Sequence, residues 1–332
     1  MQNIVPDKYL HVAVGVICRK NYILISKRAE NTHQGNLWEF PGGKVESDET
    51  TFQALYRELD EELGIRIEQA EPLISIPFSY PAKNDQLAAV NVLLDVWLVS
   101  SFSGRPYGKE KQPIKWVDRN QLGNFSFPQA NHNIIRALSL PGNYLITPDS
   151  NISTEKTKQA FINRFKQLCI QGYLLIQLRF KKYTLDESVL QELNQIAENY
   201  QVKLQFNSTS LTTYNLNCSH FGIHLTSSEL HTDKLISLRK RYNGYFSASC
   251  HNEDDVLKAN ALHLDFITIS PVNQTNSHPD AKPLGWERFE QLSSLAQMPV
   301  YALGGMSLDD MDIAKQSGAQ GIAAISALWK NN

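Results

Sequence analysis

Short apolar segments alternate with polar ones along the first part of the chain. The stretches HVAVGVIC and YILISKR near the start predict a strand pair, and VNVLLDVWLVS and PIKWV predict further strands. Residues 50–63 repeat their apolar side chains every three to four positions, and a shorter stretch from Asn131 to Leu138 does the same, so both predict helices. Mixed strands around a helix indicate an α/β fold.

The pattern changes after Leu140-Pro141-Gly142-Asn143, where Pro-Gly interrupts the chain. We therefore predict two domains, residues 1–140 and 141–332. Eight apolar segments of the second domain alternate with helical ones: YLIT, YLLIQLR, VKLQF, FGIHL, GYFSAS, DFITIS, PVYAL and QGIAAIS. Strands that alternate with helices imply a parallel sheet, and eight such units predict a TIM (β/α)8 barrel, here a small one with almost nothing left for a closing helix.

Composition agrees with a two-domain globular protein. The chain has 332 residues, and 42% of them are hydrophobic and 20% charged, with a formal net charge of -2. This balance argues against stable nucleic-acid binding. The four cysteines have no C-x-x-C spacing, which favours reduced thiols in the cytoplasm. No apolar run reaches the roughly 20 residues of a membrane span.

The first predicted helix carries a cluster of glutamates. Glu58, Glu61 and Glu62 stand at i, i+3 and i+4 and therefore share one face. Like charges at this spacing repel each other, and carboxylate oxygens are the ligands that Mg²⁺ prefers, so the cluster points to a divalent cation. A solvated acidic helix is the alternative for this spacing alone. Gly64 ends the helix as a C-cap residue would. The apolar stripe that we expect to pack on the sheet consists of Phe52, Leu55, Leu59 and Leu63.

Residues 43–65 match the signature G-x5-E-x7-R-E-U-x-E-E-x-G-U, in which U is a bulky aliphatic residue, at every fixed position. The chain therefore resembles the Nudix hydrolases, which implies an α/β/α sandwich fold and metal-dependent cleavage of phosphoanhydrides. The resemblance implies Mg²⁺, with Mn²⁺ as an alternative, and a general base whose identity stays open. It implies that Arg57 and Glu49 orient the carboxylates. The implied metal ligands are Gly42, Glu58, Glu61, Glu62 and Glu110.

Residues 10 to 138 more narrowly resemble the MutT family of 8-oxo-dGTP diphosphatases. The matching segments are AVGVI, KRA, LWEFPGGKVE, GRPYGKE and FPQAN. The resemblance implies hydrolysis of 8-oxo-dGTP and related oxidised purine nucleoside triphosphates to the monophosphate and pyrophosphate, which clears the nucleotide pool of mutagenic precursors. The residues that it places at the substrate are Arg28, Phe40, Gly42, Gly43, Lys44 and Asn131.

Asn131 is the residue implied to read the base, because an amide offers a donor and an acceptor to O6 and the protonated N7 of 8-oxoguanine. Each of these residues also has an interpretation without a role at the substrate. Asn131 would be a helix N-cap, and Phe40 would be an ordinary core residue. Arg28 would be a surface charge, and Glu110 would be a solvated loop residue. The segment AKNDQLAAV enlarges a turn that is shorter in MutT and carries a substrate-contacting aspartate there. Asp85 is the one acidic candidate in this segment.

The second domain resembles thiamine phosphate synthase and its relative TenI, a thiazole tautomerase. YLITP, QLRFKK, HFGIHL, ISPVNQT, ALGGM and GAQGIAAIS follow in family order. We expect a phosphate site at the glycines after the seventh strand and at the end of the eighth, with tight βα turns as the alternative. The expected ligand residues are Arg179, Lys181, Asn207, His251, Thr275, Gly304, Gly305, Ile325 and Ser326.

The synthase binds Mg²⁺ with one aspartate after the third strand and another after the H-L-G-Q run. These places read Asn207-Ser208 and Thr226-Ser227-Ser228-Glu229 here, so both aspartates are missing, and His278 stands where a lysine is usual. We therefore expect a barrel that binds a phosphorylated thiazole-like or thiamine-like ligand without synthase activity. His251 matches a histidine that the tautomerase uses, with a packed strand-end histidine as the alternative.

Two other functions remain open from the sequence. The Nudix domain could hydrolyse diphosphates of the thiamine pathway, with the barrel as a tautomerase-like partner. In a third interpretation the barrel is a binding module alone.

Overall fold

A computed structural model describes residues 9–30, 34–80, 90–210, 221–275 and 282–330. The chain divides into two compact units, Met1–Ser139 and Leu140–Asn332, next to the Pro141-Gly142 pair. Within the described residues, no helix is both long enough and apolar enough to cross a membrane.

The first unit is built on one mixed sheet. Its strands are β1 Leu10–Arg19, β2 Tyr22–Lys27, β3 Trp38–Glu39, β4 Gly42–Lys44, β5 Arg66–Tyr80, β6 Val90–Ser103 and β7 Ile114–Asp118. Its helices are α1 Thr51–Leu63 and α2 Asn131–Ser139, and a 3-10 helix spans Arg119–Asn124. The strands follow the order β3-β2-β1-β6-β5, with β4 paired to β1 and β7 paired to β2.

Alternation along β1 explains how this sheet is covered on both faces. Ala13 and Ile17 pack in one buried cluster with Leu59 of α1. Val14 points to the opposite face, because successive strand residues alternate, and it packs in a second buried cluster with Ile134 of α2. One helix therefore covers each face, which confirms the α/β/α sandwich.

The second unit is a closed parallel barrel. Its strands are β8 Asn143–Ile146, β9 Leu175–Leu178, β10 Lys203–Asn207, β11 Gly222–Leu225, β12 Phe246–Cys250, β13 Phe266–Ile269, β14 Val300–Leu303 and β15 Gly321–Ala324. Its helices are α3 Glu155–Ile170, α4 Glu187–Asn199, α5 Ser227–Leu230, α6 Lys234–Arg239, α7 Glu253–Ala261, α8 Gly285–Ser293, α9 Met311–Gln316 and α10 Ser326–Trp329. All eight predicted strands are present, which confirms the TIM barrel, and the four-residue α10 follows the last strand.

Large aromatic side chains fill part of the barrel interior. Tyr144, Phe266 and Tyr301 are fully buried, and the rings of Tyr144 and Phe266 meet edge to face at 5.2 Å. The interior is therefore a packed core, so a ligand of this domain has to bind at the carboxyl ends of the strands, where the βα loops begin.

Candidate active site

The glutamate helix α1 has defined ends. The Thr50 hydroxyl accepts a hydrogen bond from the backbone amide of Gln53 at 3.3 Å. The side-chain oxygen of Gln53 accepts one from the backbone amide of Thr50 at 2.8 Å, and the two bonds together form a capping box. Gly64 ends the helix in the left-handed region at φ 66°. Leu55, Leu59 and Leu63 are buried as predicted, and Phe52 also packs against the sheet, but at its edge. Phe52 is 40% exposed, because it lies at the rim of the packed face against Trp97, with ring centroids 5.2 Å apart.

Arg57 joins the carboxylates on the other face of α1. Its Nη2 and Nε donate to the two oxygens of Glu49 at 2.6 and 3.1 Å, and its Nη1 donates to Glu58 at 2.8 Å and to Glu61 at 3.2 Å. Nη2 also donates to the carbonyl of Lys44 at 3.0 Å. The hydrogen bonds to Glu49 and Glu58 raise the pKa of Arg57, and the same contact lowers the pKa of Glu49. Arg57 therefore fixes the loop before α1 against the glutamates.

Glu62 faces a different set of neighbours. Its Oε2 accepts a hydrogen bond from the Gly42 amide at 3.1 Å. Burial and then the nearby carboxylates of Glu39, Glu58 and Glu110 raise the pKa of Glu62 to about 8. Four carboxylates are thus close enough to repel one another around Glu62, which is the electrostatic condition that a bound cation relieves.

Glu110 reaches this cluster because its loop is tied to the end of α1. The Lys109 amide and the side-chain amide of Gln112 both donate to the Glu62 carbonyl, at 2.9 and 3.0 Å. Gln112 also accepts from the Glu110 amide at 2.9 Å. The loop therefore holds Glu110 near Glu62, which no spacing in the sequence indicated.

Glu39 is a second acidic residue that sequence reasoning missed. It forms an ion pair with Arg28, one of the predicted substrate residues. Burial raises the pKa of Glu39, and the Arg28 charge opposes that shift. Glu39 also raises the pKa of Glu62, so its carboxylate is within electrostatic reach of the glutamate cluster while it pairs with Arg28. The segment LWEFPGG, which contains it, was recognised without assigning Glu39 a role.

Gly43 lies where strand β4 meets α1. A Cβ atom at Gly43 would overlap the carboxylate of Glu58, and a Cβ at Gly42 would overlap the backbone oxygen of Ala13. Gly42 also has φ 144°, a conformation that other residues rarely adopt. Both glycines therefore allow the loop to pass directly against the carboxylates.

The oxygen donors suit a hard divalent cation, although their present contacts are with protein groups. Among the residues that the structure describes, no three His, Cys, Asp or Glu side chains converge closely enough to hold one metal ion. Glu58 and Glu61 accept hydrogen bonds from Arg57, and Glu62 accepts one from the Gly42 amide. The like-charge cluster around Glu62 and the all-oxygen donor set nevertheless fit Mg²⁺.

Aromatic side chains form a wall on the α2 side of the sheet. Phe40 stacks on Phe127 with centroids 5.3 Å apart, and Phe78 lies 4.8 Å from the ring of Tyr80. Asn131, which begins α2, is 9% exposed, and within the described part of the chain its side chain has no hydrogen-bond partner. The alternative N-cap bond is therefore not observed. Phe40 is 3% exposed and belongs to the buried cluster.

The predicted phosphate residues of the barrel follow strands β9, β14 and β15. Arg179 comes directly after β9, and partial burial lowers its pKa and that of Lys181. Gly304 and Gly305 follow β14 with φ values of 103° and 68°, so both need glycine for the turn itself. Ile325 directly follows β15, and Ser326 is the first residue of α10. The parallel strands bring all of these to the same end of the barrel.

The remaining barrel residues are held by local contacts. Asn207 is buried at the end of β10 and accepts a hydrogen bond from the Thr209 amide at 3.1 Å. His251 follows β12, and its Nδ1 lies 2.8 Å from the Ser270 carbonyl. That carbonyl can only accept, so Nδ1 carries the proton and Nε2 is an acceptor in the neutral ring. Thr275 is the last residue described before a gap, and His278 and Asp85 lie outside the described residues.

The segment that stands in place of the second aspartate carries a different carboxylate, Glu229. Glu229 accepts hydrogen bonds from the Ser208 hydroxyl and from the Thr226 amide, the latter at 3.0 Å. Lys234 pairs with Glu229, and its Nζ also donates to the Ser208 carbonyl at 3.2 Å. These donors lower the pKa of Glu229 despite its partial burial. The ammonium of Lys234 therefore neutralises this carboxylate.

Two protein families match the two units. The NUDIX domain family matches residues 12–137, and the thiamine monophosphate synthase family matches residues 143–328, more than half of the chain. The 8-oxo-dGTP diphosphatase of Escherichia coli is 39% identical over 132 residues, which are 40% of this chain and 97% of that protein. The CTP pyrophosphohydrolase of Escherichia coli is 33% identical, over 39% of this chain and 91% of its own length.

The second unit is similar to a candidate thiamine-phosphate synthase of Aquifex aeolicus, at 29% identity over 57% of this chain and 98% of that protein. Among solved structures, a MutT from a study of Aliivibrio salmonicida and Vibrio cholerae is 34% identical over 40% of this chain and 97% of its own, with a TM-score of 0.32. The chain therefore belongs to the Nudix hydrolases through its first domain and to the thiamine monophosphate synthase family through its second, and it is a fusion of the two.

Proposed function

We propose that the Nudix domain hydrolyses 8-oxo-dGTP and related oxidised purine nucleoside triphosphates to the monophosphate and pyrophosphate, and so keeps mutagenic precursors out of the nucleotide pool. The observation that carries the proposal is the position of Asn131, which is 9% exposed, has no side-chain hydrogen bond to any residue that the structure describes, and follows Ala130 of the cluster that contains Phe40 and Phe127. The amide of Asn131 is therefore available to form hydrogen bonds with a ligand. Similarity to the Escherichia coli 8-oxo-dGTP diphosphatase supports the same substrate.

Glu58, Glu61, Glu62 and Glu110, with the carbonyl of Gly42, are the groups that would hold Mg²⁺. The bound ion would neutralise the phosphate chain and orient water against it. The chain's own part is to keep these oxygens together: Arg57 orients Glu58 and Glu61, and the Gly42 amide holds Glu62. A carboxylate of the cluster would accept the proton of the attacking water.

Base selection would come from the opposite side of the sheet. Asn131 can accept from the protonated N7 of 8-oxoguanine through its carbonyl and donate to O6 through its amide nitrogen. Guanine has no proton on N7, so the carbonyl of Asn131 would meet a second acceptor and the pair of hydrogen bonds would not form. The Arg28–Glu39 pair, whose carboxylate is within electrostatic reach of Glu62, would meet the sugar and phosphates.

Asn131→Ala is expected to lower kcat/KM for 8-oxo-dGTP by roughly 30-fold and to leave that for dGTP within about twofold, because two hydrogen bonds of about 1 kcal/mol each are lost for the oxidised base alone. Initial rates would be measured at saturating Mg²⁺ for 8-oxo-dGTP, dGTP, 8-oxo-GTP, CTP and thiamine diphosphate.

Asn133→Ala is the matched control, because Asn133 lies in the same helix without belonging to the aromatic cluster. Equal turnover of dGTP and 8-oxo-dGTP by the wild type would contradict the proposal. Faster hydrolysis of thiamine diphosphate than of any nucleotide would instead support a Nudix domain that hydrolyses diphosphates of the thiamine pathway. The fusion with a barrel of the thiamine monophosphate synthase family favours this alternative.

For the barrel we propose binding of a phosphorylated thiazole-like or thiamine-like ligand without thiamine phosphate synthase activity. Glu229 supports this, because it already accepts from Ser208, Thr226 and Lys234 and has little capacity left for a metal ion. Arg179 and Lys181 supply positive charge at the same end of the barrel as the backbone amides of Gly304 and Gly305.

Calorimetry of the full chain with thiazole phosphate tests the barrel, since a monophosphate offers the Nudix domain no anhydride. We expect saturable binding that does not need Mg²⁺ and that weakens about tenfold in Lys181→Ala, as loss of a phosphate-pairing charge implies. Lys182→Ala is the control, because the Lys182 side chain is exposed and lies next to Lys181 in the sequence. The backbone amide of Lys182 donates to Asp149, as that of Lys181 does. Absence of heat with thiazole phosphate and with thiamine phosphate would contradict the proposal.

A further inference from the structure

Gln112 lies in the loop between β6 and β7, two residues after Glu110. Its side-chain oxygen accepts a hydrogen bond from the backbone amide of Glu110 at 2.9 Å, and its Nε2 donates to the carbonyl of Glu62 at 3.0 Å. One side-chain amide therefore connects the backbone of two predicted metal ligands that come from different elements.

The turn that carries Glu110 contains a residue in an unfavourable backbone conformation. Lys111 has φ 66°, in the left-handed region that residues other than glycine rarely adopt, and its amide donates to the Gly108 carbonyl at 3.0 Å. Such a conformation persists where the surrounding contacts fix it. A Cβ atom at Gly108 would overlap the backbone oxygen of Gln112, so the turn closes directly against this residue. The hydrogen bonds of Gln112 are among the contacts that keep the turn in place.

Backbone hydrogen bonds attach the two ends of this turn to the candidate site. The Lys109 amide donates to the Glu62 carbonyl at 2.9 Å, at the end of α1. The Pro113 carbonyl accepts from the amide of Lys27, the last residue of β2, at 2.9 Å. The side chain of Gln112 holds the peptide between these two anchors.

Glu110 depends on its backbone for its position. Its side chain is exposed, so the packing of neighbouring side chains does not enclose it. Mg²⁺ demands a nearly ideal arrangement of oxygens at about 2.1 Å, so a small displacement of one ligand weakens the site. Groups that orient a metal ligand therefore affect metal affinity almost as the ligands do.

We propose that Gln112 is a positioning residue for the metal site: by accepting the Glu110 amide and donating to the Glu62 carbonyl, it sets where the Glu110 carboxylate stands against the glutamates of α1. The inference rests on the proposed role of Glu110 as a metal ligand. Gln112 acts through the peptide of Glu110 and not on the metal ion or the nucleotide itself.

Gln112→Met in the full chain tests the inference, because Met keeps the length of the side chain and makes neither hydrogen bond. Electron paramagnetic resonance during a titration with Mn²⁺ alone measures metal affinity without a nucleotide, whatever the base preference of the enzyme. We expect the dissociation constant for Mn²⁺ to rise about tenfold, and with it the Mg²⁺ concentration that gives half of the maximal hydrolysis rate. The melting temperature in EDTA should stay within about 3 °C of the wild type. Gln69→Met, at an exposed position of β5, is the control.

A second background separates positioning from a structural role. In Glu110→Gln, the carboxylate that Gln112 positions is gone, so adding Gln112→Met should change the Mn²⁺ dissociation constant by less than about twofold. An equal loss on Gln112→Met in both backgrounds would show that the side chain acts elsewhere in the fold and would overturn the inference. This comparison remains decisive if Gln112→Met melts at a lower temperature, because both backgrounds carry the same loss of stability.

The remaining outcomes distinguish the inference from the function on which it rests. If Glu110→Gln weakens Mn²⁺ binding and Gln112→Met does not, the role of Gln112 is overturned and the proposed function stands. If Glu110→Gln leaves Mn²⁺ binding unchanged, the proposed metal role of Glu110 is overturned, and the role of Gln112 with it.

Discussion

Replacing Glu62 with Gln is expected to lower kcat for nucleotide hydrolysis by about 10³-fold at saturating Mg²⁺, because charge stabilisation by a bound metal ion is worth several kcal/mol in such reactions. Gln has nearly the size of Glu and can still accept the hydrogen bond from the Gly42 amide. The loss would therefore come from the missing charge among Glu39, Glu58 and Glu110 and not from a rearranged loop.

The same substitution is expected to stabilise the fold when divalent ions are chelated. The pKa of Glu62 is about 8 in the folded chain and 4.5 as its ordinary value, so between these values the native state binds more protons than the unfolded state. Stability then falls as the pH rises through that window and is level above it, and Gln does not have this loss. We expect the melting temperature of Glu62→Gln in EDTA to exceed that of the wild type by an amount that grows from pH 5 to about pH 8.

Glu61→Gln separates the two effects. We expect it also to abolish hydrolysis at saturating Mg²⁺, but its side chain is 57% exposed and its ion pair with Arg57 is of the weak i,i+4 kind, so the melting temperature should hardly change. Glu71→Gln, at an exposed position of β5, should change neither property. If Glu62→Gln or Glu61→Gln retained most of the hydrolysis rate, the metal-binding role of that glutamate would be refuted. If the difference in melting temperature between Glu62→Gln and the wild type did not depend on pH, the raised pKa of Glu62 would be refuted.

The periodicity of apolar residues was sufficient to predict the architecture of both domains, because each domain is built from a repeated pattern of apolar and polar positions. In β1, residues on both faces are apolar, which is typical of a strand covered by helices on both sides, and Leu55 and Leu59 recur at helical spacing in α1. The barrel strands are short apolar runs between amphipathic helices, so counting them was enough. The helices α5 and α6 were not predicted, because their four and six residues are too few to show a helical period of apolar positions.

The contacts that complete the site are long-range, and no local pattern encodes them. The charge of Glu39, on strand β3, acts on Glu62 of helix α1, and the Lys109 amide binds the Glu62 carbonyl from a loop that is far away in sequence. The long strand β5 was missed because exposed and partly buried residues follow each other along it without alternation. Glu229 was visible in the sequence, but its partners were not, because Lys234 and Ser208 hold it from neighbouring elements.

Gly43→Ala is expected to lower kcat by about 10²-fold while the domain stays folded, because a displacement of about 1 Å in a catalytic group can cost that much. The new methyl group would overlap the Glu58 carboxylate, which is the flexible end of a side chain and can turn away at little cost to the fold. Gly42→Ala differs, because its methyl group would meet the Ala13 backbone and φ 144° would be strained.

Gly123→Ala is the matched control for Gly43→Ala, because a Cβ at Gly123 meets nothing within 4 Å. Rates at saturating Mg²⁺ and melting temperatures in EDTA would be measured for both variants. We expect both to melt within about 3 °C of the wild type, which corresponds to less than about 1 kcal/mol for a domain of this size. Full activity in Gly43→Ala would mean that Glu58 can leave its position without consequence, and Glu58 would then have no place among the metal ligands.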